Sequence, residues 1–187
     1  MKGKKAKETE LAFGELNVFR EEEGYVHISF RSPGISGSEW VEKLKSKGIE
    51  MEPRVEAILR SKQFVPTNNT YKLVIICGSQ FPYGNRTIAV VRESAYSKGL
   101  FKVTLEAACI LRYLLSDKEA KGMFLHSLVA VSTHAKKEFT NVLGFDVDDK
   151  PNSLQTYCVK EILRWRRSTG FVFSKEKIIK HRNEKIK

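Results

Sequence analysis

The chain has 187 residues, 41% of them hydrophobic and 10% aromatic, enough for the core of one domain with length left for tails. It carries 33 Lys/Arg against 22 Asp/Glu, a formal net charge of +11. No apolar run approaches a transmembrane span, and the basic Met1–Lys7 leads into Glu8, Glu10 and Leu11 rather than an apolar signal core, so neither a membrane protein nor a secreted one is expected.

Residues 1–10 are rich in Lys and Glu and are expected to be a flexible N-terminus, which places the folded domain at 11–174. Leu16–Arg20 and Tyr25–Arg31 predict two short strands around Glu21–Glu22–Glu23–Gly24, hairpin spacing with a glycine in the turn. In the second strand Val26, Ile28 and Phe30 alternate with Tyr25, His27 and Ser29, as half-burial requires. Ser36 stands three residues before Glu39, a capping box opening a helix over Glu39–Lys47. Trp40, Val41 and Leu44 share its inner face and Gly48 stops it. Pro53 begins another short helix with Val55, Ile58 and Leu59 inward.

Tyr71–Cys77 is the most apolar run of the chain, β-branched in the middle and ended by Gly78. It predicts a strand covered on both faces. After the loop 78–86, Thr87 caps a helix to Ser97 with Ile88, Val91 and Ala95 inward. Thr104 caps the next helix, Leu105–Leu115, whose Leu105, Ala108, Cys109, Leu111 and Leu115 leave little polar surface, so its burial is expected. Ser116–Asp117–Lys118–Glu119 is a second capping box. Phe124–Thr133 reads as a strand, and the two helices before it form a crossover that predicts a parallel partnership with Tyr71–Cys77 in one sheet. Ala135–Asn152 shows no regular pattern. Leu154–Lys160 and Gly170–Ser174 are the last strands, with Ile162–Arg167 between them as a helical turn or a hairpin excursion. The expected architecture is a single α+β (α/β) domain: a mixed sheet of about five strands with helices packed mainly on one face.

Residues 175–187 form a basic C-terminal tail. Ten Lys/Arg and three Glu lie from Lys160 to the end, so the last 28 residues hold +7 of the net charge. Such an imbalance favours phosphate-bearing partners. The candidate nucleic-acid surface is Arg164, Trp165, Arg166 and Arg167, together with Lys175, Lys177, Lys180 and Arg182. An aromatic among arginines can stack on a base while the cations hold phosphates. Tyr157 and Phe173 on neighbouring strands extend that surface. The alternative is that Trp165 packs inward and the arginines are solvated.

A second candidate is an anion or ligand site made of Arg86, Thr87, Arg92 and His134. Thr87 opens a helix, and His134 follows the C-terminal end of a strand. The segment Gly78–Gly84 with Asn85–Arg86–Thr87 has the strand-to-helix context of a phosphate loop, but not its details. Five residues separate the glycines, Arg replaces Lys, and Pro82 removes an amide. No later apolar strand is read as ending in Asp to hold magnesium.

Asp146, Asp148 and Asp149 lack the glycine and final Glu of a calcium loop and read as a solvated acidic turn. His27, His126, His134 and His181 are scattered, so neither a metal site nor a cofactor is predicted. Cys77, Cys109 and Cys158 are odd in number with no CxxC, which fits buried, unreactive thiols in a reducing cytoplasm.

A pattern runs through Glu39–Trp40, Leu44 and Gly48; Ile58–Leu59, Ser61, Phe64, Pro66 and Thr67; then Gly78, Phe81, Arg92 and Ala95. Ala107–Ala108–Cys109–Ile110–Leu111–Arg112, Ser116–Asp117–Lys118–Glu119, Met123, Leu125, His134 and Gly170–Phe171–Val172–Phe173 continue it. Together these residues resemble a family of small conserved proteins of unknown function from uncultivated bacteria with reduced genomes. The resemblance implies a compact α/β domain and no reaction. The expected function is that of a cytoplasmic nucleic-acid-associated (RNA or DNA) binding protein without catalysis. The alternatives are an enzyme acting on a phosphorylated or nucleotide ligand through Arg86, Arg92 and His134, and a structural accessory protein whose tail docks on a larger assembly such as the ribosome.

Overall fold

The most apolar run of the chain is enclosed by sheet and helix on every side, and the remaining elements take their places around it. The computed structural model describes residues 17–20, 25–130, 135–136, 139–159 and 163–177. In chain order the elements are β1 (Asn17–Arg20), β2 (Tyr25–Arg31), α1 (Gly37–Ser46), β3 (Glu50–Met51), α2 (Pro53–Leu59), β4 (Thr70–Cys77), α3 (Ile88–Ser97), α4 (Leu105–Leu114), α5 (Asp117–Gly122), β5 (Ser127–Ala130), β6 (Ala135–Lys136), β7 (Phe139–Asp146), β8 (Lys150–Val159) and β9 (Thr169–Ser174). The strands form one mixed sheet in the order β1-β2-β4-β9-β5-β7-β8-β3, with β6 beside β7. This is a single α+β domain. The expected flexible N-terminus 1–10, His134, and Lys180 and Arg182 of the tail lie outside the described residues. No described helix is long and apolar enough to cross a membrane.

Local signals predict the helices closely. Ser36 and Ser116 each close a capping box, their side chains accepting from the Glu39 and Glu119 amides while those carboxylates accept from the serine amides. Thr87 and Thr104 cap α3 and α4 through their hydroxyls. Gly48 and Gly99, just past helix ends, take φ of +75° and +72°, the left-handed conformation open to glycine.

The sheet is larger than the expected five strands: β7 and the two-residue β3 and β6 are added, and β8 is longer than expected. β7 mixes Thr140, Asn141, Gly144 and Asp146 with Val142, Leu143 and Phe145, so it has no clean alternation to detect. β8 begins at Lys150 and continues through Pro151, four residues before the apolar part. The expected parallel pairing of the central strand with the strand after α5 is also corrected. β9 inserts between them, antiparallel to β4 and parallel to β5, so β4 and β5 run in opposite directions. A crossover argument considers only strands consecutive in sequence, and β9 comes from the far end of the chain.

Alternation along β4 sends Leu73 and Ile75 to one face and Val74 and Ile76 to the other. The first face, with Leu128, Leu143, Phe145, Leu154 and Val172, is covered by α1, α2, α4 and α5. The second, with Val129, Val142, Phe171 and Phe173, meets α3 through Ile88, Val91 and Ala95. Helices therefore lie mainly on one face. The close packing explains Gly144, where a Cβ would stand 2.2 Å from the Leu128 carbonyl oxygen.

α4 is buried as expected, yet it carries two charged side chains into the interior. Glu106, fully buried, accepts from Ser32 Oγ at 2.7 Å, Thr67 N at 2.9 Å, Thr67 Oγ1 at 2.8 Å and Tyr71 Oη at 3.1 Å, with Trp40 Nε1 at 3.5 Å. Its place in the first turn of α4 adds the favourable end of the helix dipole. Arg112, 2% exposed, pairs with Asp117 at 2.8 Å, donates to Asn152 Oδ1 at 3.2 Å and lies over the Phe145 ring at 4.6 Å. Replacing Glu106 with Ala strands several buried donors at once, and urea unfolding is expected to show a loss on the order of 3 kcal/mol or more. Glu106→Gln, which keeps one acceptor oxygen, is expected to lose clearly less; equal stability of all three proteins would contradict this account.

Candidate functional site

The sheet ends at which β4 finishes and β5 and β9 begin lie side by side, because Cys77 pairs with Gly170 and Ser127 with Thr169. Across this end runs a strap, residues 163–168, and it is pinned at several points. The Trp165 amide donates to the Arg86 carbonyl at 2.8 Å, Cys77 Sγ to the Arg167 carbonyl at 3.4 Å and the His126 amide to the Ser168 carbonyl at 3.0 Å. Gly78 makes the approach feasible: a Cβ there would stand 2.5 Å from the Arg166 carbonyl oxygen. The strap is irregular rather than a helical turn.

This placement sorts the predicted residues. Arg164 lies beside the loop 78–86, its guanidinium 5.8 Å from the centre of the Tyr83 ring; Arg86 reaches the same ring at 5.7 Å and donates through Nε to the Phe81 carbonyl at 3.0 Å. Tyr83 is 69% exposed. Nothing in the sequence marks it, because one tyrosine in a Gly/Pro-containing loop carries no periodic signal. Arg167 is exposed. Arg166 is exposed too, but it is engaged by Asp149 at 3.0 Å and Asp146 at 3.7 Å, so its charge is locally offset. No carboxylate pairs with Arg86, Arg164 or Arg167 among the described residues.

Trp165 packs inward, edge-on to Tyr157 at 5.6 Å and to Phe171 at 5.9 Å, with its Nε1 buried. Phe173 is fully buried in the α3-side core and is not part of any surface, because the alternation of β9 puts Phe171 and Phe173 on that inner face. Lys175 and Lys177 are exposed but follow the other end of β9. The six residues of that strand hold them about 20 Å from Arg164–Arg167, at roughly 3.3 Å per residue. The expected single patch is thus two patches.

Of the anion-site candidates, Thr87 spends its hydroxyl on the Val90 amide at 3.4 Å. Arg92 lies on α3 near Tyr96, and the described contacts do not bring it to Arg86. Cys77 is partly exposed at the strap rather than in the core, whereas Cys109 is buried and its thiol is pushed well up by burial. The acidic residues part company: Asp146 Oδ1 accepts from the Asp148 and Asp149 amides at 2.9 and 3.0 Å, while Asp148 meets His126 at 2.6 Å and Lys121 at 3.1 Å. Asp146 does end an apolar-bearing strand, contrary to the sequence reading, but one of its oxygens serves its own turn.

Beneath the strap lies a cleft of ≈ 240 Å³ bordered by Ser127, Asp146, Tyr157, Trp165, Arg166 and Thr169. Burial, then the Asp146, Glu52 and Asp149 carboxylates, push the Tyr157 phenol far above its ordinary 10.0. No family model, curated protein or solved structure matches the chain.

Burial and the neighbouring Glu106 raise Tyr71 in the same way. A phenol whose folded pKa exceeds its unfolded value contributes stability that is complete below about pH 10.0 and is lost as the pH rises further. In an absorbance titration of phenolate, Tyr71 and Tyr157 are expected to remain silent as the pH rises past 10.0 and to appear together with alkaline unfolding. Ionisation of either phenol near pH 10.0 in the folded protein, read as the phenolate signal lost in Tyr71→Phe or Tyr157→Phe, would contradict the burial.

Proposed function

We propose that this is a cytoplasmic nucleic-acid-associated binding protein that acts without catalysis, and that its primary contact is the surface formed by Tyr83, Arg86, Arg164 and Arg167. The observation that carries this reading is the exposed Tyr83 ring flanked by two guanidinium groups with no carboxylate partner among the described residues. The ring holds two planar forks at one spot, and each fork is suited to a phosphate. Guanidinium planes and the tyrosine ring also offer stacking surfaces to unpaired bases, which favours a single strand over a duplex. Trp165 supports this surface from beneath and does not stack. Lys175 and Lys177 lie past the far end of β9 and supply a second attraction along the strand.

Fluorescence anisotropy with a labelled single-stranded RNA or DNA tests the reading. Affinity is expected to fall steeply with salt, and Arg164→Gln is expected to weaken binding and to flatten the slope of log K against log salt by roughly 0.7. Tyr83→Ala should weaken binding several-fold while leaving the circular dichroism spectrum unchanged, since the ring is exposed. Absence of binding at low salt, or binding that ignores both variants, would overturn the proposal.

A further inference from the structure

The cleft under the strap contains an imbalance that surface charge does not account for. The Tyr157 hydroxyl and Trp165 Nε1 both lie buried without a hydrogen-bond partner. Buried polar groups are nearly always paired, so two unpaired groups on residues that border one cleft mark where a ligand, with a small shift of these side chains, would supply acceptors. Indole N–H can only donate, and the raised phenol stays protonated across the physiological range. An acceptor residue borders the same space. Asp146 is 9% exposed; its Oδ1 is occupied by two amides, but its Oδ2 stands 3.7 Å from Arg166, beyond hydrogen-bond distance. The Ser127 and Thr169 hydroxyls are bonded to each other at 2.9 Å, which uses one of their two O–H groups and leaves the other able to donate. The tilted Tyr157 and Trp165 rings supply an aromatic wall.

Donors, a carboxylate acceptor and an aromatic wall in a space of ≈ 240 Å³ select a planar molecule with acceptors and N–H donors on one edge. We propose that the cleft receives a single nucleobase, unstacked from its neighbours, with Tyr157 and Trp165 donating to its carbonyl or ring-nitrogen acceptors and Asp146 accepting from its N–H. A bare phosphate is disfavoured by the Asp146 carboxylate bordering the cleft and by the sharing of Arg166 between Asp146 and Asp149; Arg164, which also borders the cleft, lies against the Tyr83 ring at 5.8 Å. The rim is continuous with the proposed strand-binding surface: Arg164, whose guanidinium lies 5.8 Å from the Tyr83 ring centre, borders the cleft and is the residue before Trp165. How the base arrives, carried by a strand whose phosphates lie on Arg86 and Arg164, rests on the reading given under Proposed function.

The test uses the full chain and two readouts. Tryptophan emission reports the cleft, because of the two tryptophans Trp40 is fully buried on the opposite face and only Trp165 borders the space. Each common ribonucleoside monophosphate and inorganic phosphate is titrated separately. In parallel, anisotropy compares a single strand with an abasic strand of equal length. At least one mononucleotide is expected to perturb the emission where phosphate does not, and the intact strand to bind roughly tenfold more tightly than the abasic one. Tyr157→Phe removes only an unpartnered hydroxyl, so thermal stability should hold while intact-strand affinity falls roughly fivefold and abasic affinity stays unchanged. Asp146→Asn should alter the preference among the mononucleotides. Strand binding indifferent to the bases and to Tyr157→Phe overturns this site and leaves the strand-binding reading standing. Mononucleotide binding without strand binding keeps the site and overturns that reading. An equal response to inorganic phosphate, or no response to any ligand, overturns the nucleobase assignment.

Discussion

A carboxylate taken wholly out of water must have its oxygens hydrogen-bonded, and in this protein that demand falls on Glu106. Its partners come from the chain just past β2 (Ser32), from α1 (Trp40), from the loop ahead of β4 (Thr67) and from β4 itself (Tyr71). Because Glu106 sits on α4, one side chain registers the main layers of the helical face against each other. Tyr71 extends the network to Thr104, the cap of the same helix, at 2.6 Å. At the other end of α4, Arg112 ties the helix to Asp117 and to the β8 residue Asn152. The helical face is thereby fixed at both ends of its central helix by buried polar contacts, whose directionality specifies alignment in a way apolar packing does not.

The other face is less evenly covered. α3 packs on the side chains of β4 and β9, while over Ser127, Asp146, Tyr157 and Thr169 the described chain offers the strap. Apolar side chains give way to polar ones at that end of β5, β7, β8 and β9. A strap of irregular backbone cannot bury an apolar surface as a helix can, and it brings its own amides and carbonyls, which need partners. Those partners are the Arg86 carbonyl, the Cys77 thiol and the His126 amide, with Gly78 giving room for the approach. The cleft is the space left between a sheet end and a segment held at fixed points above it.

Electrostatics follow the same geometry. Four consecutive residues from Arg164 look like one basic cluster, yet they separate in space by role: Arg164 joins Arg86 on Tyr83, Trp165 turns inward, and Arg166 is taken up by Asp149 and Asp146. Irregular backbone points successive side chains in unrelated directions, so adjacency in sequence carries no promise of a shared surface. This end of the sheet therefore presents two organised guanidinium groups rather than a uniform positive field. The lysines beyond β9 contribute from a distance set by the length of that strand.

The sequence by itself determined the helices and the central strand. Capping boxes at Ser36 and Ser116, threonine caps at Thr87 and Thr104, and the uninterrupted apolar run of β4 are local signals whose physics acts over a few residues. The tertiary structure alone decided the strand order, since the pairing of β9 between β4 and β5 joins segments with no local mark of each other. It also decided the role of Glu106, which in sequence is an ordinary acidic residue in a first helical turn. It revealed β7, whose polar residues hide its alternation, turned Trp165 inward and placed Tyr83 between two arginines. These outcomes depend on which surfaces meet after the chain has folded, and hydrogen bonds, ring contacts and ion pairs between distant segments leave no periodic trace in the order of residues.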